Sequence, residues 1–374
     1  MKFFSLEALQ AKYGDGLLLH YGEADDRKLI VIDGGPSGVF KAALLPRLQA
    51  LQKEHGGKLP IELLMVSHLD DDHIRGLLDL AKALDGEETM RSSFDVKGFW
   101  LNTFEDTVGT GAALPSEVAA AKFQGDHLEA VIASVPQGQS LRDLARKLHW
   151  SVNEGFDGLV IAPDDAGVKV DFGSLRLTVV GPRRAELEQL REEWEKEVKK
   201  LKEKPDKAAE VAEYLDNSVY NLSSIVCLAE FGKGDDRKRM LLTGDARGDK
   251  ILLGLKEAGL LDDGPLEIDL LKMPHHGSSR NLEPEFFEQI KAKTMVISAN
   301  GKFDNPDVET LEMIAETRKG EDFTLYLTNS HYEGKMGPEI EKALEKLAKD
   351  GPGKIVFRPD DALSLRVDLL DPLP

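Results

Sequence analysis

The chain predicts an α/β fold, and three observations predict it. Apolar runs of strand length alternate with amphipathic helical stretches through the first hundred residues. The same alternation returns after residue 217. Polar residues capable of chemistry stand where strands give way to helices or loops. Strands alternating with helices are the pattern of an α/β domain.

The elements follow in order. Residues 17–21 and 29–32 read as paired strands across a polar turn, and Asp33-Gly34-Gly35-Pro36 ends the second. Residues 41–53 are amphipathic and helical, with Pro46 suited to the first turn, where no amide hydrogen is needed. Ile61, Leu63, Leu64, Met65 and Val66 form a buried strand. Beyond an acidic turn Ile74, Leu77, Leu78, Leu80, Ala81 and Leu84 recur at helical spacing. Residues 96–101 make another strand. From about 102 to 216 the composition changes, and this stretch reads as a largely helical segment inserted into a single domain spanning 1–374. Within it Val118, Ala119, Ala120, Ala121, Leu128, Val131 and Ile132 favour helix, residues 141–148 form a short helix, and strands lie at 168–170 and 175–180. Leu187, Leu190, Trp194, Val198 and Leu201 draw one apolar stripe along a charged helix at 183–204 that Pro205 ends or kinks. Such a stripe usually packs on its own domain; the alternative is a homodimer or protein-partner contact. Strands at 224–231 and 239–242 flank a hairpin loop at 232–236. Strand 268–272, helix 284–290, strand 294–298, helix 308–316 and strand 324–327 complete the alternation.

Composition narrows the function classes. With 374 residues and 41% hydrophobic content the chain can bury a large core, and no apolar run is long enough to cross a membrane. The apolar start at Phe3 and Phe4 stops too soon, at Glu7, for a secretory signal. The single cysteine, Cys227, lies in an apolar strand and reads as inert core, which suits a reducing cytoplasm. A net charge of −19 argues against a DNA-coating surface, though not against cleavage at one local site. Lys196, Lys199, Lys200, Lys202, Lys204 and Lys207 are interspersed with glutamates and read as a solvated helix face.

The most informative stretch is the acidic turn, where His68, Asp70, Asp71, Asp72 and His73 stand together. In an extended segment His68, Asp70 and Asp72 point the same way, and His73 opens the following helix. Three acids and two imidazoles repel one another unless a cation lies among them, so a metal site is the leading reading. Helix capping explains one aspartate, or two, and neither histidine.

Three later segments carry matching chemistry. Thr243-Gly244-Asp245 places an aspartate after a strand, either as a ligand or as a cap for a helix starting near Arg247. His275-His276-Gly277-Ser278 sets two of the nine histidines side by side at a strand end. Asn217, Asn221, Ser223 and Ser224 precede another strand, where turn residues bonding to backbone are the ordinary explanation.

Together these residues resemble the metallo-β-lactamase fold superfamily, most closely its nucleic-acid-handling, ComEC/Rec2-like branch of metallohydrolases. The general pattern is His-x-His-x-Asp-His, a further ligand, a bridging aspartate and a final histidine. Here His68, Asp70, Asp72 and His73 match the first motif, with aspartate in place of its second histidine. The resemblance implies a four-layer αββα sandwich of two mixed β-sheets, and Gly14-Asp15-Gly16 and Asp33-Gly34-Gly35 resemble its opening hairpin. It implies that His68 and Asp70 hold one metal, that Asp72, His73 and His275 hold a second, and that Asp245 bridges them. His276 is then a substrate-contacting or supporting group. Asn221 stands where many members have a histidine, and an amide is the poorer ligand.

These expectations define a function. One or two divalent ions are implied, Mn²⁺ first and Zn²⁺ next, because carboxylate and amide make the donor set harder. The expected activity is hydrolysis of a phosphodiester, single-stranded nucleic acid included, by a metal-activated water. Asp72, Asp245 and His276 are the expected catalytic groups, with Lys272, Ser278, Arg280 and Asn221 contacting substrate. The competing readings are a hydrolase of carboxylic esters, lactones or thioesters, and a non-catalytic metal-binding component of a larger assembly.

Overall fold

The computed structural model describes residues 1–103, 106–107, 126–164, 166–203, 220–350 and 353–373. Strands β1 (Lys2–Leu9), β2 (Leu17–Glu23) and β3 (Asp26–Ile32) run antiparallel, with Glu23 facing Asp26 across a two-residue turn. A π-helical turn at Phe40–Leu44 leads into α1 (Leu45–His55), whose first turn contains Pro46. Strand β4 (Leu59–Met65) then pairs parallel with β3. Helices α2 (Asp71–Gly86) and α3 (Glu88–Ser93) return the chain to β5 (Phe94–Trp100), parallel to β4. Helix α4 (Asp126–Lys147) precedes the short edge strand β6 (Ser151–Val152).

The hairpin of β7 (Val168–Phe172) and β8 (Leu175–Gly181) opens the second sheet. Helix α5 (Arg184–Glu203) follows, then the antiparallel strands β9 (Val226–Phe231) and β10 (Lys238–Leu242). From there the sheet is parallel: α6 (Gly248–Glu257), β11 (Leu266–Lys272), α7 (Pro284–Gln289), β12 (Ile290–Ile297), α8 (Val308–Thr317), β13 (Phe323–Leu327), α9 (Gly337–Asp350) and β14 (Gly353–Phe357). Strand β15 (Ser364–Asp368) crosses back and closes the first sheet against β1. The sheet orders are β15-β1-β2-β3-β4-β5-β6 and β14-β13-β12-β11-β10-β9-β8-β7, both mixed.

Three apolar clusters define four layers. Leu18, Val31, Leu64 and Phe99 face the helices of the first half, where Leu48, Ile74 and Leu77 meet them. Leu19, Ile30, Ile32 and Met65 point the other way, onto Leu177, Cys227, Met240 and Leu270 of the second sheet. Leu228, Leu241, Leu271 and Met295 pack on Ile251, Phe286, Leu311 and Ile340 of the second helical layer. Central strands buried on both faces read as unbroken apolar runs, which is why 29–32 and 61–66 lack alternation. The molecule is thus an αββα sandwich, with Cys227 buried between the sheets and its thiol pushed up by burial.

Over its described part the segment 102–216 holds the helices α4 and α5 and the strands expected at 168–170 and 175–180, with the short β6 besides. Its β6 extends the first sheet, and β7 and β8 extend the second, so it completes the sandwich's edges. Val118–Ala121, Lys204, Pro205 and Lys207 fall outside the described residues, as do the side chains of Trp194, Val198 and Leu201. Leu187 and Leu190, at the start of the stripe, are buried. No described helix is long and apolar enough to cross a membrane.

Candidate metal centre

Strand β4 ends against the acidic turn, and the helix begins earlier than the extended reading requires. Asp70 takes the N-cap position with φ −63° and ψ 146°, and Asp71 and Asp72 occupy the first helical turn, where the helix dipole favours acids. The expected alignment of His68, Asp70 and Asp72 is therefore corrected. His68 Nε2 and Asp70 Oδ2 meet at 3.2 Å, whereas Asp72 turns with α2 and brings Oδ2 within 3.4 Å of His276 Nε2. Asp71 accepts a hydrogen bond from Gln137 of α4 at 2.9 Å. That contact helps dock α4 on the turn.

Glycines set the approach of the β3 loop to α2. A Cβ on Gly76 would overlap the Gly34 carbonyl, and one on Gly34 would overlap the backbone of Gly76 and Leu77. The bare backbones instead bond: Gly34 N to His73 O at 2.7 Å and Gly76 N to Gly35 O at 3.0 Å. This contact carries Asp33, in a left-handed conformation (φ 58°), under the site. Its Oδ2 lies 2.9 Å from His73 Nδ1 and accepts from the Ser67 hydroxyl at 2.6 Å.

The second sheet supplies the other half. Asp245 follows β10, and its amide donates to Ser224 Oγ at 3.2 Å. After β11 the backbone runs through His275 (φ 45°) and His276 (φ 54°), both left-handed. Such conformations cost non-glycine residues of order 1–3 kcal/mol each, and they concentrate where function needs them. Here they let neighbouring histidines both aim Nε2 at Asp245.

The convergence on Asp245 is close. Its Oδ2 lies 3.7 Å from His68 Nε2 and 3.6 Å from both His275 Nε2 and His276 Nε2, and its Oδ1 lies 3.4 Å from His73 Nε2. Two ligands each about 2.0–2.1 Å from an ion at the tetrahedral angle stand about 3.4 Å apart. The separations match that spacing, and His68 Nε2, buried, faces the carboxylates of Asp70 and Asp245 at 3.2 and 3.7 Å. The donor set therefore fits a divalent cation. Asp15, His73, Asp245 and His276 alone bring four donor atoms within 4.8 Å of one another. Asp70, Asp72 and His275 are the more exposed members, at 13%, 21% and 20%, so they mark the side open to a reactant.

Each imidazole is fixed by its other nitrogen. His73 Nδ1 meets Asp33, and His276 Nδ1 meets the Ser298 carbonyl at 2.8 Å. His68 Nδ1 meets the Ser67 hydroxyl at 3.1 Å, and His275 Nδ1 meets Asn221 Nδ2 at 3.3 Å. Supporting bonds of this kind set which nitrogen faces a metal. Electrostatics complete the picture. Burial opposes charge throughout, but at Asp245 the facing His276, His73, His275 and His68 win, holding its carboxyl well below the usual range. Burial likewise opposes the Asp72 carboxylate, yet His73 and His276 bring its pKa down to about 2. Against burial, Asp245, Asp72 and Asp33 raise His73 well above the ordinary imidazole value. His276 and His68 are also raised, while burial keeps His275 lowered. Metal binding requires neutral imidazoles, so a cation would replace the protons held here.

Several expected roles change. His276, not His275, meets His73 (Nε2 to Nε2, 3.3 Å) and Asp72 (3.4 Å), while His275 reaches Asp245 from beside Asn221. Asn221 itself contacts His275 rather than open space. Lys272, expected to meet substrate, is fully buried, with Nζ 2.6 Å from Asp15 Oδ2. Ser278, also expected there, is buried and donates to Asp307 at 3.3 Å. Arg280 is exposed. Sequence reasoning gave no role to Asp15, Asp33, Ser67 or Ser298. The two acids carried a signal, each being the only charge in a glycine-flanked turn, whereas nothing in the local sequence marks the serines.

No curated protein matches the chain. Among solved structures the Rm3 metallo-beta-lactamase is similar over 74% of this chain and 78% of its own, with 13% identity and a TM-score of 0.32. The metallo-beta-lactamase fold protein YhfI from Bacillus subtilis is similar over 98% and 99%, with 11% identity and a TM-score of 0.39. The metallo-beta-lactamase GOB-18 from Elizabethkingia meningoseptica covers 75% and 79%, with 13% identity and a TM-score of 0.29. Residues 21–101, which run from β2 to just past the end of β5 and include Asp33, His68, Asp70, Asp72 and His73, match the family model of the metallo-beta-lactamase superfamily.

Proposed function

We propose that the protein is a metal-dependent hydrolase of phosphodiesters. The observation that carries the reading is the single carboxylate of Asp245 within 3.4–3.7 Å of four histidine Nε2 atoms from two sheets. Asp245 then joins two donor sets, His68, Asp70 and His275 on one side and Asp72, His73 and His276 on the other. Each set offers two imidazoles and a carboxylate besides the bridge, which suits either Mn²⁺ or Zn²⁺. A divalent ion held by these residues would supply Lewis acidity and would lower the pKa of water toward neutrality.

The chain's own groups do the rest. Asp33 and the Ser298 carbonyl hold His73 and His276 with Nε2 inward, and the buried Asp15–Lys272 pair supports the floor beneath His276, whose Nδ1 lies 3.6 Å from Asp15 Oδ1. Asp72, ionised and partly open to solvent, is placed to accept a hydrogen bond from the attacking water and orient it. Asp70, Asp72 and Asp245 beside the imidazoles make the donor set rich in hard oxygen, which suits an ion that also takes phosphate oxygen as a ligand.

The test is a paired assay on protein with measured metal content. Metal-loaded protein is expected to hydrolyse bis(p-nitrophenyl) phosphate faster than p-nitrophenyl acetate, with the activity lost in a folded Asp245→Ala variant. Faster acetate hydrolysis would transfer the assignment to carbon esters. No turnover of either would leave a metal-binding component without this activity.

A further inference from the structure

We infer that the pocket between α1 and the first sheet, remote from the metal centre, binds a short-chain aliphatic carboxylate. Its cavity volume is about 40 Å³. One water needs about 10–15 Å³ on that measure, so the space suits a group about the size of three waters. The pocket lies where β3 and β4 begin, with Arg27, Leu29, Leu59 and Pro60 in its lining. Asp33, which supports His73, follows the other end of β3. Arg27 and Asp33 are thus six strand residues apart, about 20 Å at 3.3 Å per residue. The pocket is a site of its own.

Side-chain direction decides which charges face inward. Along β3 Arg27 shares the face of Leu29 and Val31, which packs on the helices, while Lys28 points the other way toward Gly173. His20 pairs with Leu29, and Arg366 pairs with Glu7, itself opposite Leu18, so both stand on that helix-facing side. From α1 come Arg47, Leu51, Glu54 and His55, spaced i, i+4, i+7 and i+8 along one helix face. Three guanidiniums from three elements therefore line one cavity. Arg47 Nε meets Glu7 Oε1 at 2.6 Å, and Arg366 Nε meets Asp368 Oδ1 at 3.1 Å, but neither acid lines the cavity. Arg27 is half-buried, and its guanidinium has no hydrogen bond or ion pair among the described residues.

The chemistry selects the ligand. Glu54, exposed and 3.5 Å from Arg47 Nη1, is the only acid in the lining among the described residues. Three arginines against one acid, on a chain of net charge −19, favour an anion. A guanidinium fork matches a carboxylate through two parallel N–H···O bonds. The walls choose among anions: Leu29 and Leu59 are buried, and Leu51, Pro60 and Leu373 partly so. The Leu373 carbonyl accepts from Arg366 Nη2 at 3.1 Å, which ties an apolar residue to the charge. Inorganic phosphate would leave those walls unused. A carboxylate on a short aliphatic chain meets both the guanidiniums and the leucines.

The experiment titrates hexanoate into the metal-loaded full chain by calorimetry, with acetate, 1-hexanol and inorganic phosphate as comparisons. Hexanoate is expected to bind saturably, and each comparison about tenfold or more weakly, because each lacks either the charge or the chain. Arg27→Gln, which breaks no existing hydrogen bond or ion pair, is expected to weaken hexanoate about tenfold, the usual scale of a lost charge-assisted bond. Glu54→Gln removes the competing acid and is expected to tighten binding by about twofold to fivefold, which a merely structural role for the pocket would not do. A folded Asp245→Ala variant keeps the affinity, since the metal centre takes no part. Absence of saturable binding, equal affinity in Arg27→Gln, or a preference for hexanol or phosphate overturns the carboxylate site. Loss of binding in Asp245→Ala moves the ligand to the metal centre and overturns it equally.

Discussion

Asp33 Oδ2 stands 2.9 Å from His73 Nδ1, linking the end of β3 to the first turn of α2 across forty residues of sequence. The contact fixes which nitrogen of His73 faces Asp245 and strengthens the ring as a ligand. Asp33→Asn keeps the size but removes the charge. It is expected to weaken metal affinity by about 10–100-fold, read by competition against a coloured chelator. Unchanged affinity would show that the Ser67 hydroxyl alone orients the ring.

His275 and His276 divide between two donor sets, so their variants should differ in stoichiometry. His276→Ala removes the ring facing His73 and Asp72, and His275→Ala the ring beside Asn221. Elemental analysis of protein purified without chelator is expected to show one ion fewer per chain in each variant, and the greatest loss in Asp245→Ala. Equal retention of metal in His275→Ala and the unaltered protein would remove His275 from the ligand set.

Gly76 and Gly34 touch backbone to backbone, leaving no room for a side chain. Gly76→Ala must push the β3 loop off α2, at a cost of about 1–3 kcal/mol by the usual scale of overpacking. Urea unfolding checks the stability, and chelator competition checks a second consequence: Asp33 moves with the loop, so metal affinity falls too. A stability loss without any change in affinity would separate the glycine contact from the site.

Glu7 offers a pH test far from the metal centre. It is buried on β1, its Oε2 2.9 Å from His20 Nε2 and its Oε1 2.6 Å from Arg47 Nε. Burial alone would raise its pKa, but bonds from His20 and Arg47 prevail and lower it from 4.5 to about 2. A folded-state pKa below the unfolded value contributes stability that is full above about pH 4.5 and lost as pH falls toward 2. At 1.36 kcal/mol per unit the contribution is about 3 kcal/mol. Glu7→Gln is expected to lose roughly that much at pH 7, and the gap should narrow steadily between pH 4.5 and 3 in urea titrations. A gap constant with pH would mean that packing, not ionisation, accounts for the loss.

The central strands and their helices were legible because burial on both faces writes continuous apolar runs, as at Ile61–Val66, and amphipathic helices write a 3.6-residue period, as at Ile74–Leu84. Strands β1, β14 and β15 were not singled out. The last two lie at sheet edges, where pairing with one neighbour leaves a weak local pattern. Within the segment 102–216 strands β7 and β8 were legible at 168–170 and 175–180, whereas β6, two residues long, left no local pattern, and only pairing shows which sheet each extends.

The sequence by itself determined the chemistry available: clustered imidazoles and carboxylates at strand ends, with a net charge and a single cysteine that set their surroundings. Residue type and local periodicity are enough for that, since both are properties of neighbours along the chain. Tertiary structure decided which nitrogen and which oxygen meet. It turned Asp72 away from Asp70 at the helix start, exchanged the expected roles of His275 and His276, buried Lys272 on Asp15, and brought Asp33 under His73. Those outcomes depend on backbone angles at single residues and on contacts between segments tens to hundreds of residues apart, which no local pattern records.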